Sequence, residues 1–212
     1  MPKAASLIGK FLNEEGKEYQ KGAVPGSAKL EDKDGNGSIP ADDKKIIGSK
    51  LPSFLLSMGN RFDYKNIYFS FLLNGVFGQT KELHDYNFDR WMPTYNYISG
   101  MDYWTPENPT SDIPAATNSS SNRVISSRII EDGSYLRLKN VTVGYTFPAK
   151  LVKKWKIDKA RVYVAAQNLW TCTGYSGYDP EVSVRNSALT PGLDYSSYPR
   201  AYSISFGVSL GF

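Results

Sequence analysis

The sequence comprises 212 residues, 41% of them apolar and 14% aromatic, with a formal net charge of +4. That charge is modest and dispersed and gives no support to a nucleic-acid partner; the single cysteine excludes an internal disulfide framework. No run approaches the roughly 18 consecutive apolar residues of a membrane-spanning helix, whereas 15 Tyr, 10 Phe and 18 Gly favour β structure, because aromatic side chains fit a pleated surface.

The chain opens with MPKAASLIGKFLNEE, which has Lys3 but lacks the sustained apolar core and cleavage site of a secretory signal. Two expectations follow: a cytoplasmic protein, or a Met1 that is not the natural start of translation. Residues 25–52 read as a loop that contains DKDGNGSIPADD, residues 32–43. This is D-x-D-x-N-G-x-I with an aspartate at the twelfth position, the spacing of a calcium loop. Ca2+ is a hard cation that takes six to eight oxygens at about 2.3–2.6 Å. Asp32, Asp34 and Asn36 offer side-chain oxygens from alternate positions. Gly37 permits the sharp turn, Ser38 offers its backbone carbonyl, and Asp43 closes the shell. Pro40 stands at the ninth position, where a water-bridged ligand is usual. The expectation is a structural Ca2+ site, with a metal-free Asp/Asn/Gly turn as the alternative.

Five segments then alternate with period two. SFLLSMGNRF (53–62) sets Phe54, Leu56, Met58 and Phe62 against Ser57, Gly59 and Arg61. NIYFSFLLNGVFG (66–78) sets Ile67, Phe69, Phe71, Leu73 and Phe77 against Tyr68, Ser70 and Asn74. SYLRLKNVTVGYTF (134–147) starts with Leu136 and Leu138, then shifts phase to Val141, Val143, Tyr145 and Phe147, which predicts a bulge near Asn140. ARVYVAAQNLW (160–170) carries Val162, Val164, Ala166 and Trp170 on one face. The chain closes with AYSISFGVSLGF, in which Tyr202, Ile204, Phe206, Val208, Leu210 and Phe212 alternate with small or hydroxylated residues.

The connections between these strands run short, long, short, long. The first is DYKN and the third PAKLVKKWKIDK, whereas residues 79–133 and 171–198 are long loops rich in Pro, Asn, Ser and Gly. Transmembrane barrels have this asymmetry, with short periplasmic turns and long outer loops. Strands of about ten residues or more also exceed the five or six usual in soluble sheets. The pattern therefore predicts an all-β fold, an antiparallel up-and-down transmembrane barrel segment with long extracellular loops. A soluble, calcium-stabilised β-sandwich that binds carbohydrate, with the same stripes turned inward, is the competing expectation.

In the first long loop Trp91, Tyr95, Tyr97, Tyr103 and Trp104 crowd together. Such rings anchor interfaces or stack on sugars, so they are candidates for contact with substrate or a lid; self-packing is the alternative. Arg61, Arg137, Lys139, Arg161 and Gln167 fall on the face that would line a lumen, while Asp179-Pro180 reads as a turn former. Lys150, Lys153, Lys154 and Lys156 read as a solvated turn. Catalysis finds no constellation: His84 and Cys172 are single and 88 positions apart, and no phosphate loop or zinc spacing occurs, so no enzyme activity is expected.

Four stretches carry a family resemblance. They are PGSAKLEDKDGNGSIPADDKKIIGSKLPSFLLSMGNRFDYKNIYFSFLLNGVFG, YWTPENPTSDIP (103–114), IEDGSYLRLKNVTVGYTFP (130–148) and VYVAAQNLWTCTGYSGYDPEV (162–182), followed by the terminal Phe212. In this order they resemble the C-terminal region of SusC/RagA-type TonB-dependent outer-membrane transporters, over residues 25–212. The resemblance implies a plugged barrel of about 22 strands, of which this chain supplies the last five or six. It implies import of glycan fragments or peptides across the outer membrane of Bacteroidetes-type bacteria. It further implies a SusD-like surface lipoprotein as lid, TonB as energy source through an N-terminal part, and a lipid-facing final strand that the assembly machinery reads. Residues 1–24 match the family poorly and add at most one more strand, residues 25–52 form an extracellular loop, and residues 53–212 form barrel strands and loops. Plug, TonB-contacting box and earlier strands are not in this sequence, so the expectation is a fragment of a larger protein, or else one product of a split gene.

Overall fold

The computed structural model describes residues 20, 24–36, 38–83, 100, 102–111, 113–115, 126–182, 192–194 and 198–212. Among them are strands β1 (Phe54–Tyr64), β2 (Ile67–Phe77), β3 (Thr80–Leu83), β4 (Ile130–Asp132), β5 (Tyr135–Thr146), β6 (Lys159–Thr173), β7 (Leu193–Asp194) and β8 (Ser203–Gly211). One short helix, α1 (Ala149–Val152), lies between β5 and β6. The chain divides into two compact units, Met1–Gly48 with Glu82–Glu131, and Ser49–Lys81 with Asp132–Phe212.

The five long strands form one antiparallel sheet in the order β1-β2-β5-β6-β8. Each pairs with the next in sequence among the long strands, which is the up-and-down order that the connections predict. Short strands β3, β4 and β7, too brief to show a period in the sequence, form a second sheet, ordered β4-β3-β7. The β1–β2 hairpin turns through Lys65 and Asn66 alone, with Lys65 at φ +54°. A positive first central φ suits the twist of a two-residue hairpin.

Register converts the sequence alternation into two faces. One row across the sheet reads Phe62, Phe69, Val143, Val164, Phe206; the next reads Tyr64, Ile67, Tyr145, Val162, Val208. On the other face the matching row is Asp63, Tyr68, Gly144, Tyr163, Gly207, beside Arg61, Ser70, Thr142, Ala165, Ser205. The anticipated bulge is present. Between Leu138 and Asn140 the register shifts against β2 and against β6, and β6 absorbs its own extra residue near Asn168, at φ +51°. With both strands slipped together, Leu138 and Trp170 stay on the apolar face.

In a sandwich the apolar face of a sheet lies beneath a second layer. Here Ile204, Phe206, Val208 and Leu210 are 53%, 81%, 68% and 50% exposed. The sandwich expectation is therefore wrong for this sheet: its apolar side chains point away from the rest of their own unit. The strands are 11, 11, 12, 15 and 9 residues long, enough for tilted strands of about 9–11 residues to cross a bilayer.

The polar face packs differently. The Tyr68 ring lies over Gly144 and the Tyr163 ring over Gly207, so closely that a Cβ on either glycine would come within 2.1 or 2.2 Å of a ring carbon. Arg61 sits 4.6 Å above the Tyr68 ring, and Arg161 lies 5.5 Å from Tyr68 and 5.7 Å from Tyr163. Cation–π attraction adds to the area these rings cover. Gly144→Val is expected to destabilise the sheet by about 1–3 kcal/mol through overpacking. In a denaturant-unfolding cycle that loss should shrink when Tyr68→Ala has already removed the ring; equal losses in both backgrounds would mean that the ring is not what confines position 144.

Candidate functional site

Two clusters of chemistry-bearing residues stand out, one in each unit. In the first unit a single 3-10 turn, Ala41–Asp43, brings Asp43 back to the loop that starts at Asp32. Carboxylate oxygens of Asp32, Asp34 and Asp43 all lie within 4.8 Å of one another. The loop is held by its own side chains. The Gly35 N–H donates to Asp32 Oδ1 at 2.8 Å, the Asn36 N–H to Asp34 Oδ1 at 3.1 Å, and the Ser38 N–H to Asn36 Oδ1 at 2.8 Å. Lys33 N–H reaches Asp43 Oδ1 at 3.2 Å. Asp43 Oδ2 is buried and has no hydrogen-bond partner among the described residues. Of the five sequence-predicted ligands, the three aspartates converge. Asn36 donates its amide to Asp34 Oδ2 at 2.6 Å, Ser38 is exposed, and Gly37 lies outside the described residues.

The aromatic candidates divide. Trp91, Tyr95 and Tyr97 lie outside the described residues, as does His84. Trp104 is buried, its ring against Gly26 and Ala115 of the same unit, and its backbone N–H bonds Ile113 O at 2.9 Å. The ring is used in self-packing and presents no free face to a sugar or a lid. Tyr103 is half-buried beside it.

In the second unit the long-loop end of the sheet holds an ionic cluster. Arg137 projects from β5 on the polar face, in register with Asn74 and Thr171. Its guanidinium donates to Thr171 Oγ1 at 2.8 Å, to Asp179 Oδ1 at 2.6 Å and to Glu181 Oε2 at 2.7 Å. Lys139 Nζ donates to Glu181 Oε1 at 2.5 Å. Asp179 also receives the backbone N–H of Glu181 at 2.9 Å and of Arg200 at 3.0 Å. The Arg137 and Asp179 side chains are only 5% and 2% exposed. Lys81 closes the group by donating to Val182 O at 2.6 Å, and Tyr175 by donating to Asp194 Oδ2 at 2.6 Å.

The arrangement is a pin: residues 175–182 fold back and are fixed to the polar face of β5. Burial works against the Asp179 carboxylate, but the Arg137 guanidinium and the two backbone donors outweigh it and hold its pKa below the ordinary value. Burial lowers the Lys81 ammonium, and Asp194, Asp179 and Glu181 pull it partly back. The sequence marked Arg137 and Lys139 as lining residues without finding their partners. The legible signal was Asp179-Pro180-Glu181, where a turn places two carboxylates two positions apart.

Because Asp179 titrates below its usual value of about 3.9, its contribution is complete above about pH 5 and is lost as the pH falls through the depressed value. Amide hydrogen exchange over residues 175–182, taken relative to its intrinsic rate at each pH, should therefore accelerate in acid. Arg137→Ala should accelerate it already at neutral pH, since it strands a buried carboxylate at a cost of about 3–5 kcal/mol. Unchanged protection in that variant would show that the loop is held by something other than the ion pair.

No family model matches the sequence. Over 195 residues the chain is 35% identical to TonB-dependent receptor P3 of Formosa agariphila, covering 89% of this chain and 19% of that protein. It is 28% identical over 202 residues to TonB-dependent receptor SusC of Bacteroides thetaiotaomicron, covering 92% of this chain and 18% of SusC. Among solved structures, the RagAB peptide transporter superposes with a TM-score of 0.66 at 24% identity, over 84% of this chain and 19% of that one. The chain thus spans about a fifth of the length of the curated relatives it matches.

Proposed function

From a chain that is homologous over most of its length to the SusC-type TonB-dependent receptors, we propose that five consecutive strands of an outer-membrane importer's barrel wall are before us. One observation carries this: an apolar face, exposed from β1 to β8, backs onto a face of small, polar and cationic residues. Lipid meets the first and the lumen meets the second. Strands β1 and β8 are the edges of the sheet, and an unpaired edge is too costly in hydrocarbon. Further strands therefore flank both edges and close the barrel. The tight turns of β1–β2 and β5–β6 face the periplasm; the long connections, with residues 25–52 leading into the outer end of β1, face outward.

In this reading the segment acts passively. Its wall separates lipid from cargo, and the Arg137 pin shapes the outer mouth. The imported cargo is a glycan fragment or a peptide, the latter being what the RagAB importer carries. A SusD-like lipoprotein covers the long-loop end, and TonB drives release through a part of the protein beyond these strands. The test places one charge on each face. Phe206→Arg, facing lipid, is expected to cost about 2–4 kcal/mol near the bilayer midplane and to reduce the folded, membrane-inserted fraction on fractionation and heat-modifiable gels. Ser205→Arg, facing the lumen, should leave insertion near normal. The reverse ranking would end the barrel assignment.

The acidic loop belongs to the same proposal as a structural Ca2+ site. Three carboxylates within 4.8 Å repel one another, and a divalent cation relieves that repulsion while satisfying the orphan Asp43 Oδ2. Asp32, Asp34 and Asp43 hold the ion; its contribution is to fix the loop, with no catalytic step. Calcium should raise the melting temperature of the protein and give a binding isotherm, and Asp43→Ala should abolish both. A melting curve indifferent to calcium and to chelator would remove the metal.

A further inference from the structure

The connection of β5 to β6 is more than a turn. Pro148 precedes α1 at its N-cap, a 3-10 turn follows at Lys153–Trp155, and Lys156 turns the chain back at φ +58°. The segment is fastened to the sheet. At its entry the last residue of β5 is tied to the β1–β2 hairpin: Thr146 N–H donates to Asn66 O at 2.8 Å and Asn66 Nδ2 to Thr146 O at 2.8 Å. Asp158 N–H donates to Gly211 O at 2.8 Å, which ties the segment to β8. Val152 is its only buried apolar residue, whereas Leu151 and Trp155 are 59% and 78% exposed.

The charge at this end is one-sided. Lys65, Lys150, Lys153, Lys154 and Lys156 of the two turns and Lys159 at the start of β6 are all exposed, against one exposed aspartate of the turns, Asp158; Asp63, near the end of β1, is paired with Arg61. No ion pair involves these lysines among the described residues. Six lysines against one aspartate exceed the net charge of +4 of the entire chain, so the remainder is close to balanced. Exposed rings lie beside them: Tyr64, whose face carries Lys65 Nζ at 5.3 Å, Tyr145, and Phe147 at the entry to the turn.

We infer that this short-turn end is a binding surface for anionic phospholipid headgroups, with Trp155 and Leu151 seated at the headgroup level and the lysines reaching the phosphates. The inference rests on the barrel orientation proposed above. Continuity supports it, because the apolar rows of the sheet run directly into this turn at Tyr145 and Phe147. Tryptophan and tyrosine partition to the membrane interface, lysine stems lie along apolar surface while their ammonium groups reach polar headgroups, and clustered lysines favour anionic over zwitterionic lipid. A solvated turn accounts for the lysines alone; it leaves a tryptophan and a leucine turned to water without reason.

The test uses the chain together with the remaining strands of its barrel, reconstituted into phosphatidylcholine bilayers containing a minority of phosphatidylglycerol, with bromine on one lipid or on the other. The difference in fluorescence between the protein and its Trp155→Phe variant isolates Trp155. At matched bromine content, brominated phosphatidylglycerol should quench that signal about twofold more than brominated phosphatidylcholine. The excess should vanish at high salt, and in a variant combining Lys150→Gln, Lys153→Gln, Lys154→Gln and Lys156→Gln. Salt reads the wild-type protein, so a poorly folding variant does not blunt the test. Equal quenching by both lipids overturns the inference, leaving an apolar anchor only. No quenching by either also overturns it, and points the lysines to water or to an acidic protein. A protein that fails to insert at all counts instead against the barrel itself.

Discussion

Everything in this sheet depends on one constraint: a strand has two faces, and hydrogen bonding across the ladder forces neighbouring strands to agree on which is which. Successive side chains point to opposite sides, and a slip by a single residue would turn a whole apolar stripe over. Five strands meet this demand together. In one row phenylalanine meets phenylalanine, then valine, valine and phenylalanine again; in the next, tyrosine, isoleucine, tyrosine and two valines line up. A lone stripe on one strand could pack anywhere; five in register create a surface that only an apolar medium or an apolar partner can satisfy.

The same constraint explains the one place where the pattern breaks. Residues 138–141 change phase, which would send the upper half of β5 to the wrong side. The extra residue at the Leu138–Asn140 step restores agreement with β2, and β6 compensates with its own near Asn168. Two adjacent strands each carry an insertion, so the irregularity is shared and the stripe remains whole. Bulges of this kind also strengthen local twist and end or re-aim pairing. Here the extra residue of β5 is Lys139 itself, two positions from Arg137, and these two cations receive the folded-back loop.

The long strands were legible because period-two alternation is a strong local signal over ten residues. All five appear within a few residues of where the sequence puts them, and the phase shift near Asn140 correctly announces the bulge. What escaped was non-local or short. Strands of two to four residues such as β7 and β3 hold too few side chains to show a period. The Arg137–Asp179 pair joins residues 42 apart, and no pattern in a window of ordinary length links them. Trp104 shows the limit of reading a residue by type: an aromatic in a loop looks available, yet a glycine and an alanine from separate stretches build a seat for it. The calcium-type spacing was the reverse case, since a motif that encodes chain geometry does bring its three aspartates together.

The tyrosines laid over glycines bear on how the wall closes. Along that row β5 and β8 lack a side chain, and the ring of the strand before each, Tyr68 or Tyr163, occupies the gap. One ring thereby covers two positions on that surface, while the other keeps a bulky group on each strand of the facing rows. A layer thinned on one side bends towards that side. Missing Cβ atoms on one face thus favour, locally and at Gly144 and Gly207, a sheet that is concave on its polar side.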